Sequence, residues 1–171
     1  MRWTPLLALF ACTGPGPTEP CGAPAEPVTC ELGDFTDSGT WQPLASGQEV
    51  PVWFGLQGGM HIEFVLHEAN ATPIVRVSTS ARESGETISI DGSVDVLTFA
   101  AEPTCSGEQV GVRAVLDTSD GFERACGLDG STVELDVTVE REDGDVATCS
   151  ATVTARFEPF TRDQCESIFT P

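Results

Sequence analysis

Seven cysteines stand at positions 12, 21, 30, 105, 126, 149 and 165, and their spacing limits the sulfur chemistry open to the chain. Successive gaps of 9, 9, 75, 21, 23 and 16 residues contain no C-x-x-C pair, so the spacing of a zinc knuckle is absent. Disulfide formation remains. Setting Cys12 aside leaves six cysteines, an even set suited to three disulfides in an oxidising compartment. Cys105 precedes a candidate strand and Cys149 follows a candidate turn, which puts both at one end of a β-structure and Cys126 and Cys165 at the other. The expected pairs are therefore Cys21 with Cys30, Cys105 with Cys149, and Cys126 with Cys165.

His61 and His67 are the two histidines of the sequence, and strand alternation sets them on one face. Six residues of strand at about 3.3 Å each separate them by roughly 20 Å, too far to share one metal ion. Better oxygen ligands stand at Asp117, Asp120 and Glu123, three carboxylates close together with Gly121 between them, a set that can gather around calcium. That segment departs from the EF-hand pattern at Ser119 and Gly121. A second acidic group, Glu140, Glu142, Asp143 and Asp145, surrounds a hairpin turn that wants Asp and Gly for backbone reasons alone. Calcium is thus the one cofactor these residues offer, and nothing in the sequence requires it.

Catalytic signatures are missing: there is no G-x-S-x-G elbow, no H-E-x-x-H and no phosphate-binding or dinucleotide glycine pattern. With six cysteines assigned to disulfides and one to modification, no thiol is left as a nucleophile. The expectation is a protein that is not an enzyme. The charge balance excludes another class. Against 27 acidic residues stand 8 basic ones, all arginine, for a net charge of -19. Such a surface repels phosphate backbones and anionic headgroups, so nucleic acid is not an expected partner.

The elements that carry these residues begin with a leader. Met1 to Ala11 hold one positive charge, Arg2, and the apolar run Pro5 to Ala11, which is too short to span a bilayer and suits the hydrophobic region of a signal peptide. Leu9-Phe10-Ala11-Cys12 resembles the bacterial lipobox, with Phe10 as its departure from the usual small residue. That resemblance implies a diacylglycerol thioether on Cys12, cleavage before it and acylation of the new amino terminus, and Thr13 in place of Asp leans towards the outer membrane. Several acyl chains on one residue give stable anchoring where one is marginal. Residues 12–27, rich in proline and glycine, form a semi-rigid tether.

From residue 28 to about 160 the apolar pattern has period two. Candidate strands are Val50–Phe54, Met60–Glu68, Ile74–Thr79, Thr87–Ile90, Val94–Ala100, Gln109–Asp117, Thr132–Arg141 and Val146–Phe157. Asp143-Gly144 offers a two-residue hairpin turn between the last two. Short strands with tight turns predict an all-β fold, an antiparallel β-sandwich of immunoglobulin-like or fibronectin-like form stapled by disulfides, with residues 161–171 as a tail held by Cys165. Gly55-Leu56-Gln57-Gly58-Gly59-Met60-His61 resembles the G-x-Q-G-G-x-H segment of a group of uncharacterised bacterial lipoproteins. The resemblance implies fold and localisation and lends no activity. The functional expectation is a lipid-anchored binding or structural module of the cell envelope with an unidentified protein or glycan partner. Its alternatives are a calcium-dependent adhesive or carbohydrate-binding module and a small hydrolase with an unrecognised site.

Overall fold

A computed structural model describes residues 26–54, 59–72, 74–90, 92–97, 105–119, 122–157 and Cys165. The leader, most of the tether, Cys12 and Cys21 lie outside the described residues, as do 98–104 and Asp120.

Ten strands and one short helix account for most of what is described: β1 (Thr29–Phe35), β2 (Trp41–Pro43), β3 (Gln48–Phe54), β4 (Met60–Ala69), β5 (Ile74–Glu83), β6 (Glu86–Thr87), β7 (Gly92–Leu97), β8 (Gly107–Val115), α1 (Phe122–Cys126), β9 (Thr132–Arg141) and β10 (Val146–Arg156). Hydrogen-bonded neighbours run β2-β1-β4-β3-β10-β9-β5-β6, with β7 also on β5 and β8 also on β4. The all-β expectation holds, with a correction to its antiparallel form. The sheet is mixed, because β3 runs parallel to β10 over Gln48–Pro51 before passing to β4 over Val52–Phe54. Pro51, which has no N–H to donate, sits at the hand-over between partners.

Alternation drives the core. In β9, Val133, Leu135, Val137 and Val139 are all fully buried, while their even-numbered neighbours are exposed or half-buried. Cross-strand register places Val133 opposite Val153 of β10 and Val139 opposite Val77 of β5, so each row of side chains continues into the next strand. Ile62, Phe64 and Leu66 of β4, Leu32 of β1 and Ala114 of β8 join the same apolar cluster. Both arms of the sheet, joined through β3, thus bury their inner faces against one core.

Two turns show local sequence at work. Ser84 and Gly85 both have positive φ, 50° and 83°, between the paired residues Glu83 and Glu86, which is the geometry of a two-residue type I′ hairpin. The β9–β10 turn is longer than expected: Gly144 N–H donates to Arg141 C=O, and Gly144 itself has φ 87°. Asp143-Gly144 is therefore the end of a type I turn closed by a glycine bulge.

The disulfides correct two of the three expected pairs. Cys126 bonds Cys165 as expected, tying the C-terminal segment to α1. Cys30 bonds Cys149 instead of Cys21, and Cys105 does not pair with Cys149. Cys149 lies within β10, opposite Val137, and Cys30 lies in β1 opposite Glu68, so the bond joins the two arms with a Cα separation of 5.7 Å. Placing cysteines by strand ends failed because the contact is made between strands that are not hydrogen-bonded to each other. Cys105 is also disulfide-bonded, to a cysteine outside the described residues. Disulfide bonding of every described cysteine points to an exported protein. No helix among the described residues is long and apolar enough to cross a membrane.

Arg141 ends the core-facing row of β9, and its side chain is only 5% exposed. Its guanidinium donates to both carboxylate oxygens of Asp143 at 3.0 and 2.7 Å and to the carbonyls of Glu26 and Asn70 at 3.0 Å each. One cation thereby binds the hairpin, the start of the domain and the β4–β5 corner. Arg141→Met keeps the apolar stem and strips two carbonyls of their donor, an expected loss of about 2 kcal/mol in denaturant unfolding. Asp143→Asn, at a half-exposed carboxylate, should cost less.

Candidate functional site

Strand β4 has one face in the core and one towards solvent; the outer face carries the half-buried His61, Glu63 and His67, with Val65 buried between them. Neighbouring strands bring an aromatic residue to each histidine. Register sets Trp53 of β3 opposite His61 on one side and Val115 of β8 on the other. Ile90 continues that row, its N–H donating to Val115 C=O at 2.8 Å. Trp53 is 49% exposed and Ile90 53% exposed, so this row is an apolar strip open to solvent. Burial lowers the pKa of His61, the nearby Arg113 charge lowers it further, and Glu63, 3.7 Å away, opposes both. Arg113 in turn donates to Glu63 at 2.9 Å.

At the other end of β4, Glu31 of β1 and Glu108 of β8 flank His67 in register. Nδ1 of His67 lies 3.4 Å from the Glu108 carboxylate. The Trp41 ring packs on His67 with centroids 4.9 Å apart and planes tilted by 39°. Gly33 makes this possible. A Cβ there would stand 2.5 Å from the Trp41 ring and from Gln42 O, so any side chain would push β2 and its tryptophan away.

The histidines therefore lie on one face, as the alternation requires, and form two separate ring-and-carboxylate groups. Among the described residues no cluster of three His, Cys, Asp or Glu side chains is arranged to hold a metal ion. Of the expected calcium ligands only Asp117 has a described side chain. Its Oδ1 accepts from Ser119 N–H at 2.9 Å, an Asx turn whose hydrogen bond holds the carboxyl below its ordinary pKa. Asp120 lies outside the described residues, and so does the Glu123 side chain. A depression of about 410 Å³ beside the β9–β10 turn is lined by Ile74, Arg76, Glu140, Arg141 and Glu142. Both of its arginines already face carboxylates: Arg76 lies 3.6 Å from Glu140, and Arg141 is committed to Asp143.

A titratable residue absent from the sequence-based candidates is Glu68. It follows Ile62, Phe64 and Leu66 on the core face of β4 and is fully buried. Gln109, itself buried, donates to its Oε1 at 3.2 Å, while Oε2 has no hydrogen-bond partner among the described residues. Desolvation pushes its pKa up to about 7, against the hydrogen bond from Gln109 and with help from the Glu108 charge. The signal was in the sequence: one acid at the next position of an apolar alternation.

Chemically, the solvent face of β4 offers flat rings, hydrogen-bonding imidazoles and carboxylates, and one guanidinium, spread over a surface. That arrangement suits recognition of a ligand with both apolar and hydroxyl-rich faces more than it suits bond breaking. No protein-family model matches the chain, and no curated protein matches it.

Proposed function

We propose that this chain is a non-catalytic binding module of the cell envelope, an immunoglobulin-like or fibronectin-like sandwich held at the outer membrane by a lipid on Cys12. It meets its partner across the solvent face of β4. The observation that carries the reading is the exposed row Trp53, Val115 and Ile90 beside His61, an apolar strip on an otherwise strongly acidic protein. The lipobox-like leader and the disulfides support export.

Intact mass of the protein recovered from the membrane fraction tests the anchor. A polypeptide starting at Cys12 with a diacylglyceryl group and an added acyl chain is expected, and an unacylated mass sinks the anchor. Half-exposed Trp53 favours a second reading, a carbohydrate-binding module, since indole faces stack on sugar rings. In that case Trp emission shifts saturably with soluble envelope glycans and Trp53→Ala abolishes the shift. Melting with millimolar calcium and with chelator separates the calcium-dependent form, which an unchanged Tm would count against.

A further inference from the structure

We infer that Cys105 is cross-linked to Cys21, so that the proline-rich tether is clamped to the domain and Cys12 is the one cysteine that folding leaves over. This rests in part on the anchoring role given to Cys12 above. Five described cysteines, 30, 105, 126, 149 and 165, are all in disulfides, and four of them pair with one another. The sequence supplies two further cysteines, 12 and 21, so the partner of Cys105 is one of these.

Geometry favours Cys21. Arg141 donates to Glu26 C=O, Asn70 Nδ2 donates to Pro27 C=O at 3.0 Å, and Val28 N–H donates to Asp145 at 2.7 Å. Residues 26–28 are thereby pinned at the β4–β5 corner. Cys105 is held at the same corner, because Ala71 N–H donates to its carbonyl at 3.1 Å. Cys105 has φ 47° and is 7% exposed. From the pinned Glu26, Cys21 is five residues away and Cys12 fourteen. Five residues reach at most about 17 Å, enough to meet a neighbour at this corner. Loop-closure entropy favours the shorter arm by about five-fold in effective concentration. Acylation would also remove the Cys12 thiol from competition.

The bond forms as both thiols lose their protons and together two electrons to a disulfide-donor oxidant of the exported compartment, whose own disulfide leaves as a dithiol. Mechanically, the free tether then spans Cys12 to Cys21. At about 3.1 Å per residue in polyproline geometry, nine residues lift the domain by at most about 28 Å, against about 43 Å for fourteen. Either value exceeds the physiological Debye length of about 8 Å, so at full extension the strongly acidic clamped domain still clears the field of an anionic leaflet.

The test is disulfide mapping of the whole membrane-derived protein, with thiols alkylated first and digestion at acidic pH by a protease that cleaves after proline. Pro15, Pro17 and Pro20 separate Cys12 from Cys21. A Cys21 peptide linked to a Cys105 peptide is expected; a Cys12–Cys105 link, or an alkylated Cys21, overturns the inference. A Cys21→Ser variant should expose one new thiol, at Cys105, whereas Cys12→Ser should expose none. The same digest reads acylation separately: a Cys21–Cys105 link with bare Cys12 overturns the anchor alone, and an acylated Cys12 with alkylated Cys21 and Cys105 overturns the clamp alone.

Discussion

Replacing Glu68 by Gln is expected to remove a pH-dependent loss of stability that reaches about 3 kcal/mol in the parent protein between pH 4.5 and 8. Glu68 is fully buried, its carboxyl has one hydrogen bond from Gln109, and its pKa rises from 4.5 to about 7. Between those values the native state keeps the proton that the unfolded chain releases. Stability contributed by this group is therefore fully present below pH 4.5 and is lost as pH rises through about 7. Gln stays neutral and can still accept from Gln109, so the difference between variant and parent should be flat below pH 4.5, climb through the window and level off above it. Subtracting one curve from the other cancels the self-repulsion of an acidic chain, which both proteins share. His61 acts with the opposite sign: its lowered pKa means the unfolded chain binds the proton more tightly, so its contribution grows as pH rises towards 6.5. Glu68→Gln should uncover that weaker upward slope. Parallel denaturation curves for the two proteins across this range would sink the argument.

What the sequence disclosed follows from how strongly each strand is patterned. Thr132–Arg141 was legible to its end residues, because valines and leucine alternate with acids and threonines throughout. Strands β1 and β2 were not. In Thr29–Phe35 only Leu32 and Gly33 are buried, and Gly33 is buried under Trp41 of the next strand, so its register is set by a partner rather than by its own pattern. The parallel pairing of β3 with β10 has no local signal either, since it joins residues about a hundred positions apart. At the candidate site the histidines and their shared face were legible from alternation, while the tryptophans that accompany them arrive from other strands. Glu68 and Arg141 share a different signature, a charged residue at the next position of a buried row, which marks the strand ends where the core meets polar chemistry.

Loss of the Cys30–Cys149 bond is expected to be the costliest local change, about 5 kcal/mol by the chain-entropy relation for its sequence separation of 119. The Cys126–Cys165 bond closes 39 residues, for about 4 kcal/mol. Domains of this kind have total stabilities on the order of 5–15 kcal/mol, so a Cys30→Ala, Cys149→Ala protein should be unfolded or nearly so at 37 °C. Guanidinium unfolding measures this, and a loss under about 1 kcal/mol would refute it. Accessibility sets the order of chemical reduction. Cys126 is fully buried and Cys165 2% exposed, whereas Cys30 and Cys149 are both half-buried. A thiolate must reach a sulfur to attack it, so mild reductant should open Cys30–Cys149 first. The bond that contributes more to stability is thus also the more exposed one. Once it opens, the two arms joined by β3 lose this cross-link, and the Cys126–Cys165 bond should become reducible at the rate of global unfolding. Timed alkylation reads this as Cys30 and Cys149 labelled ahead of the other pair; the reverse order would show that burial does not govern access here.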